Sequence, residues 1–459
     1  MENNKKRRKI NHKTIQELAK KLKVASRDLV ALDPNNDPFY MSGMPAKQRD
    51  GRWIAKFWKE VLGGKTIHPR GINYKLWTTE QVRPDTKKLY LGTKNDWKFA
   101  RTAITAARYM GLIPYEKIID NKSQFKKYFY ELKDESIHKL TDFSIDYSWI
   151  HEKIMEQFET IWRPYPHQDT ICEVWIEKSS VKSDVEPVIR KYSANWIIGY
   201  TGDISLYHCH DFVRRAVAYY IKFGIKKYRI FYIADFDPVG RNMPISMARK
   251  VEYLLAEYCD KIGMDLDMLD IRLESIAVTP QQQKQFNLKP THVPHDKLKP
   301  SKDGRKNPYS TRVRKFKKIH GIAGVVELES LTQDVPEELP RILEERLSRY
   351  YDIGIDEFID EKHEESKEII EEILEKVDWE APIELGNLPI DWQPLIDFVE
   401  SVEIPDAEHT EETDQGIFWL LESHLDYVEQ LKRYNLFKYG KEDEWLQEQS
   451  TKVLGENEE

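Results

Sequence analysis

The chain has 459 residues, of which 40% are hydrophobic, 12% aromatic and 32% charged. That is the make-up of a soluble globular protein, with room for roughly two to four domains at ~150 residues each. No apolar run approaches the ~20 residues of a membrane span, and the polar start "MENNKKRRKINHKT" has no apolar signal core, so neither a membrane location nor secretion is expected.

The net charge of -7 hides a split: residues 331–459 carry 38 acidic and 11 basic side chains, which leaves 60 basic and 40 acidic in 1–330. A basic body beside an acidic region bears on partners rather than fold, and the body should attract a polyanion, nucleic acid first. Cys172, Cys209 and Cys259 lie far apart with no paired spacing. They argue for a reducing compartment and against a cysteine zinc site, so a cytoplasmic location is expected, nucleoid-associated where the polyanion is DNA.

In chain order, "KKRRK" at 5–9 is a basic arm, and "TIQELAKKLKVA" places Ile15, Leu18, Leu22 and Val24 near helical spacing. That helix could be a solvated amphipathic face or a phosphate contact. "LDPNNDPFYMSGMPAKQRDG" reads as a turn-rich loop. "RWIAKFWKEVLGG" is a helix stopped by a Gly pair, and "RGINYKLWT" and "DWKFARTAITAARYMGLIP" read as further helices, the second ending at Gly111. Short helices rich in aromatics and basic residues suit a winged-helix type of DNA-binding module.

From 170 the rhythm changes. "TICEVWIEK", "NWIIGYTG", "YRIFYIADFD" and "IRLESIAVT" read as strands. Between them, "DVEPVIRKYS", "HDFVRRAVAYYIKFG" and "MPISMARKVEYLLAEYC" read as helices. The alternation predicts a parallel α/β sheet, whose functional groups collect beyond the carboxyl ends of its strands. Glu177 closes the first strand and Asp235 with Asp237 closes a later one. Three carboxylates there are a standard means of holding Mg2+, a hard ion that prefers oxygen ligands. A Pro-containing turn capped by Asp235 or Asp237 would produce the same Asp-x-Asp spacing.

The stretch 296–318 carries ten basic residues, Lys297, Lys299, Lys302, Arg305, Lys306, Arg312, Arg314, Lys315, Lys317 and Lys318, against Asp296 and Asp303. It reads as a phosphate-contacting loop. Beyond 330, "PEELPRILEERLSRYYD" and "EESKEIIEEILEKVDW" are acidic helices, 381–412 is a polar, Pro-rich connection, and "GIFWLLESHLDYVEQLKRYNLF" is a last helical stretch. The acidic region could block the basic groove in cis or recruit a partner. "YHCHD" at 207–211 lacks the second ligand pair of a zinc site and is assigned to packing.

Glu177-Lys178 after the first strand, followed by a strand ending Asp235-Phe236-Asp237-Pro238-Val239-Gly240, resembles the Toprim domain. The Pro-x-Gly variant is most similar to the A subunit of type IIB topoisomerases (topoisomerase VI) and its meiotic double-strand-break relatives. The resemblance implies that Glu177, Asp235 and Asp237 bind Mg2+. It also implies an upstream winged helix whose tyrosine attacks DNA, and "HPRGINYKL" supplies Arg70, Ile72 and Tyr74 in that frame.

A tyrosine with a pKa of ~10 needs a cation to stabilise its phenolate, and Arg70, four residues before Tyr74 on a helix, would share its face. His68 adjoins this pair. A core aromatic is the other reading of Tyr74, and Asn73 stands where the family has an aromatic. That departure leaves open a hydrolytic enzyme in which Mg2+ activates water. A DNA-binding or assembly protein without chemistry is a third reading.

The expected layout is therefore α/β and α mixed, in several domains. A basic helical extension (1–60) precedes a winged-helix-like domain (61–165), a central Toprim parallel α/β sheet (166–335) and an acidic, mainly helical region (336–459). The expected partner is DNA, the expected state a homodimer, and the expected cofactor Mg2+. A separate ATPase or other protein is a possible further partner, since the chain has no Gly-rich ATPase motif.

Overall fold

The structure is a computed structural model and describes residues 10–119, 123–126, 168–199, 204–291, 308–322, 324–376, 390–405, 407 and 411–456. It is a mixed α/β protein built on one six-stranded sheet. The strands are β1 (Ser123–Lys126), β2 (Thr170–Ile176), β3 (Asn195–Gly199), β4 (Lys227–Ile233), β5 (Asp270–Ala277) and β6 (Leu421–Glu422), in the order β1-β3-β2-β4-β5-β6. Strands β2 to β5 are mutually parallel, as the alternating pattern predicts. The expectation of a purely parallel sheet is corrected at both edges, where β1 and β6 run antiparallel.

The central strands are apolar on both faces because helices cover both. Each residue of β2 is buried, which is why "TICEVWI" shows no alternation. On one face, Leu206–Phe223 and Met243–Ile262 pack with Trp175, Ile197, Tyr228 and Tyr232. Gly224 and Gly263, both at positive φ, end these helices in the left-handed cap that sets the return into the next strand. On the other face, Lys182–Lys191 and Glu338–Leu347 pack with Val174, Ile176, Trp196 and Phe231.

The connection from β2 goes outward to β3, while β4 and β5 lie on the opposite side of β2. The winding therefore reverses between β2 and β4, and a crevice is expected there beyond the strand ends.

The helices Pro45–Glu60, Pro69–Thr78 and Lys94–Tyr109 build a separate apolar core around Ile54, Phe57, Ile72, Leu76 and Ala103. This grouping crosses the boundary expected at 60. Pro45, at the first position of its helix, starts the helix inside the stretch read as a loop.

The segment before it joins the sheet body instead. Ile15 and Ala19 of His12–Leu22 are buried with Phe39 and Met41 against Met243–Ile262. Its other face, with Lys13, Gln16, Glu17, Lys20 and Lys21, is exposed, which is the amphipathic helix read from the spacing.

Parts of the acidic region likewise join the body, while Ile370 and Leu374 form a small cluster of their own with Trp392 and Leu395. Residues 417–423 are buried throughout, and "LE" at 421–422 forms β6 rather than the helix expected there. An apolar run buried on every side carries no period by which helix and strand can be told apart. Tyr427–Lys438 then packs onto the same core. The helix Gln393–Ser401 falls inside the stretch expected as a polar connection. No helix among the described residues is long and apolar enough to cross a membrane.

Candidate active site

Strand β2 ends at Ile176, and the Glu177 N–H extends its ladder by donating to Ile233 O at 2.9 Å. Strand β4 ends at Ile233, so Glu177 and the Asp235 turn leave neighbouring strands at the reversal of the winding. Glu177 Oε2 accepts the Asp235 N–H at 3.1 Å. Asp235 is fixed on both oxygens: Oδ1 accepts the Leu328 N–H at 2.9 Å, and Oδ2 lies 2.8 Å from Lys178 Nζ.

Burial, reinforced by the neighbouring Asp235, raises the Glu177 carboxyl to about 7. Burial also raises Asp235, against the pull of Lys178. Both shifts have the direction that confined carboxylates take without a full complement of cations.

Asp237 serves the turn as well as the crevice. Its Oδ1 accepts the Val239 N–H at 2.6 Å and the Gly240 N–H. The turn-cap reading of Asp-x-Asp is thereby visible in Asp237, whose carboxylate also lies close enough to Glu177 to raise it. Gly240 is set by close approach, since a Cβ there would lie 2.1 Å from Asp235 O. Replacing Gly240 with Ala must push the Asp235 backbone aside. We expect a cost of roughly 1–3 kcal/mol, read as a lower urea midpoint at unchanged slope.

Two further carboxylates belong to the site. Lys178 Nζ reaches Glu329 Oε2 at 2.9 Å and Glu327 Oε2 at 3.7 Å, and Ser180 Oγ donates to Glu329 Oε1 at 2.7 Å. Burial would lower the Lys178 ammonium, but Asp235 and Glu329 outweigh it and hold the group protonated. Glu327 and Glu329 flank buried Leu328 in "VELESL". Sequence reasoning missed them, although their i, i+2 spacing repeats that of Asp235 and Asp237. It also missed Arg241, which is buried, pairs with Glu442 and donates to Phe437 O at 2.6 Å, clamping the turn to the C-terminal helices.

The aspartate turn is tied to the basic stretch through an aromatic cluster. Phe236, between the two aspartates, is fully buried and lies 5.0 Å from both Phe316 and His320 of the helix Pro308–His320. The expectation of a loop over 296–318 is corrected from Pro308 on, where burial of Phe316 against Phe236 gives a basic helix one anchored face. Arg312, Arg314, Lys315, Lys317 and Lys318 are exposed on it, while Lys297, Lys299, Lys302, Arg305 and Lys306 lie outside the described residues.

Among the described residues, no hydrogen bond or ring contact joins Tyr74 to Glu177, Asp235 or Asp237. Tyr74 is 57% exposed on Pro69–Thr78, whose buried stripe is Ile72 and Leu76. The core-aromatic reading of Tyr74 is excluded. Arg70 is exposed on the same helix, and among the described residues no hydrogen bond or ion pair joins it to Tyr74. His68 caps the helix start by accepting the Arg70 N–H at 3.2 Å. Asn73 Oδ1 accepts the Tyr90 hydroxyl, which fastens the helix to the following extended segment. In "YHCHD", His208 and Cys209 are buried at the start of Leu206–Phe223, and His210 stacks on Tyr115 at 4.7 Å, as the packing assignment expects.

Among the described residues, no group of three or more His, Cys, Asp or Glu side chains is arranged to enclose a metal ion. Lys178 supplies the positive charge at Asp235 instead. No protein-family model and no curated protein matches the chain.

Proposed function

We propose that this chain is a Mg2+-dependent DNA-cleaving enzyme of the Toprim type, similar to the A subunit of topoisomerase VI. The observation that carries this reading is the meeting of Glu177 with Asp235 and Asp237 where the winding reverses between β2 and β4, next to an exposed basic helix. The donor atoms are of the kind the ion takes, hard carboxylate oxygens, but in this structure both Asp235 oxygens are held, by the Leu328 N–H and by Lys178, so binding the ion would require Lys178 to withdraw. Glu177, Asp235 and Asp237 would hold Mg2+. Bound there, the ion would supply Lewis-acid stabilisation of the charge that develops on the scissile phosphate.

The chain's own residues account for the rest. The cations of Pro308–His320 attract and orient the phosphate backbone. The Lys178 ammonium, held protonated by Asp235 and Glu329, offers a positive charge beside the crevice. The Tyr74 hydroxyl would give its proton to water as its oxygen bonds phosphorus, forming a phosphotyrosine ester, while the P–O bond to the deoxyribose breaks and the displaced oxygen takes up a proton from water. Among the described residues Tyr74 makes no hydrogen bond or ring contact with the carboxylates of its own chain. The reading therefore includes a homodimer in which the tyrosine of one protomer serves the carboxylates of the other. ATP-driven strand passage would need a separate ATPase.

A hydrolytic reading, with water as the attacker, draws support from Asn73, which holds Tyr90 where the family has an aromatic. Incubation with supercoiled DNA and Mg2+, followed by denaturation, tests both. A protein–DNA adduct is expected for the native chain and none for Tyr74→Phe, a loss of at least about a hundredfold. Free ends that persist in Tyr74→Phe would assign the attack to water. Uncut DNA with the native protein would leave a DNA-binding or assembly role.

A further inference from the structure

The helical module around Pro69–Thr78 exposes aromatic and aliphatic side chains that its own core does not use. Tyr74 and Trp77, three residues apart, are 57% and 51% exposed, with their rings edge to face at 6.4 Å. The extended segment after the Val82–Leu89 bridge runs beside this helix. Tyr90 is buried there and bonds Asn73, while Leu89 and Leu91 on either side of it are exposed.

Trp77 packs against that segment at Gly92. A Cβ on Gly92, which has φ +71, would sit 3.5 Å from its ring atoms. Part of the indole is thereby supported, and half of the residue remains open to solvent.

Charge decides what such a platform would meet. Residues 45–119 hold 16 Lys/Arg against six Asp/Glu. Arg83 absorbs Asp85 and Asp96 at 2.6 and 2.7 Å. Exposed Arg70, Lys75, Lys87 and Lys88 have no acidic partner among the described residues. A supported, solvent-facing indole among cations is the arrangement that binds unpaired nucleotides: the base stacks and the phosphates are neutralised.

We infer that Trp77, with Tyr74 beside it, is a stacking site for an unpaired base, so that the DNA this chain engages is duplex with an unstacked or single-stranded position. The inference rests on the DNA reading above and adds the structural feature recognised. A base on Trp77 would bring its neighbouring phosphate to the same face of the helix as Tyr74.

The test uses the full-length chain in EDTA. Anisotropy is measured with a labelled blunt duplex and with the same duplex carrying a short unpaired extension. The extended substrate should bind more tightly. Trp77→Ala should lose roughly tenfold on it with little change on the blunt duplex, and Trp77→Phe should keep most of the preference. The salt dependence should stay the same, because no phosphate contact is removed.

Equal weakening on both substrates, or no weakening, overturns the inference. So does a fall in the mass of the assembly on Trp77→Ala with unchanged DNA affinity, which would make the patch a contact between copies. If the native chain binds both substrates equally, only the stacking site falls. If it binds neither, the DNA-cleaving reading falls too.

Discussion

Arg249→Met is expected to cost roughly 3–5 kcal/mol of folding stability, the largest effect of any single substitution considered for this chain. Arg249 is fully buried, and its guanidinium is shared by three parts of the protein. Nε donates to Asp37 Oδ2 at 3.0 Å, Nη1 to Glu252 Oε2 at 2.8 Å and Nη2 to the Tyr427 hydroxyl at 2.6 Å. The Tyr427 hydroxyl in turn donates to Leu29 O at 2.8 Å, and Tyr434 donates to Glu252 Oε2 at 2.9 Å. Arg249 also stacks over Phe39 at 4.1 Å.

Methionine keeps the apolar length of the side chain but strands two buried carboxylates without their cation. That is where the cost arises, rather than in the lost attraction itself. Urea unfolding should show the lower midpoint. Adding Asp37→Asn to Arg249→Met should recover part of the loss, because the two effects share one interaction and cannot add. A single-variant cost below about 1 kcal/mol would show that the hub is not holding these segments together.

The same hub separates what the sequence makes legible from what it does not. The strand–helix alternation from 170 to 278 can be read because each parallel strand is a short apolar run closed by a local signal, with Gly224 and Gly263 among the clearest. The carboxylates can be read because they sit at strand ends, a position that parallel winding gives a meaning. The exposure of Tyr74 is not legible in the same way: "INYKLW" fits a core aromatic as well as an exposed one, and only the structure shows Ile72 and Leu76 as the buried pair with Tyr74 and Trp77 off that line.

Long-range partnerships leave no local trace. Asp37 looks like the first residue of an Asp-Pro turn, and nothing near it names Arg249, 212 positions away. Glu329 looks like one acid among many in an acidic helix, and its bond to Lys178 spans 151 positions. Charge counting drew a boundary near 335, but the sheet needs Leu339, Leu343, Leu420 and Leu421 from beyond it to cover its faces and its edge. Composition reports on the surface a segment presents, and the apolar minority of that segment decides where it packs.

Glu177→Gln is the second substitution with a large expected effect, and its sign depends on pH. In the metal-free protein, burial and the adjacent Asp235 raise the Glu177 carboxyl from 4.5 to about 7. The folded chain therefore holds this proton more tightly than the unfolded chain does. Stability should fall as pH rises from about 4.5 through about 7 and level off above that. The full shift corresponds to about 3 kcal/mol. Glutamine is neutral at every pH and can still accept the Asp235 N–H.

Glu177→Gln should therefore be more stable than the native chain by about 2–3 kcal/mol at pH 8, with most of that gain gone at pH 5. Thermal unfolding of both proteins across this range, in EDTA, checks it. Parallel curves would mean that Glu177 is not confined with its neighbours as the structure has it. Repeating the series in Mg2+ separates a confined carboxylate from a metal ligand. If Glu177 holds the ion, Mg2+ should raise the native midpoint at pH 8 and close the gap, because it binds only the folded state. The Glu177→Gln midpoint should move much less, since the carboxylate that would bind the ion has been replaced by an amide.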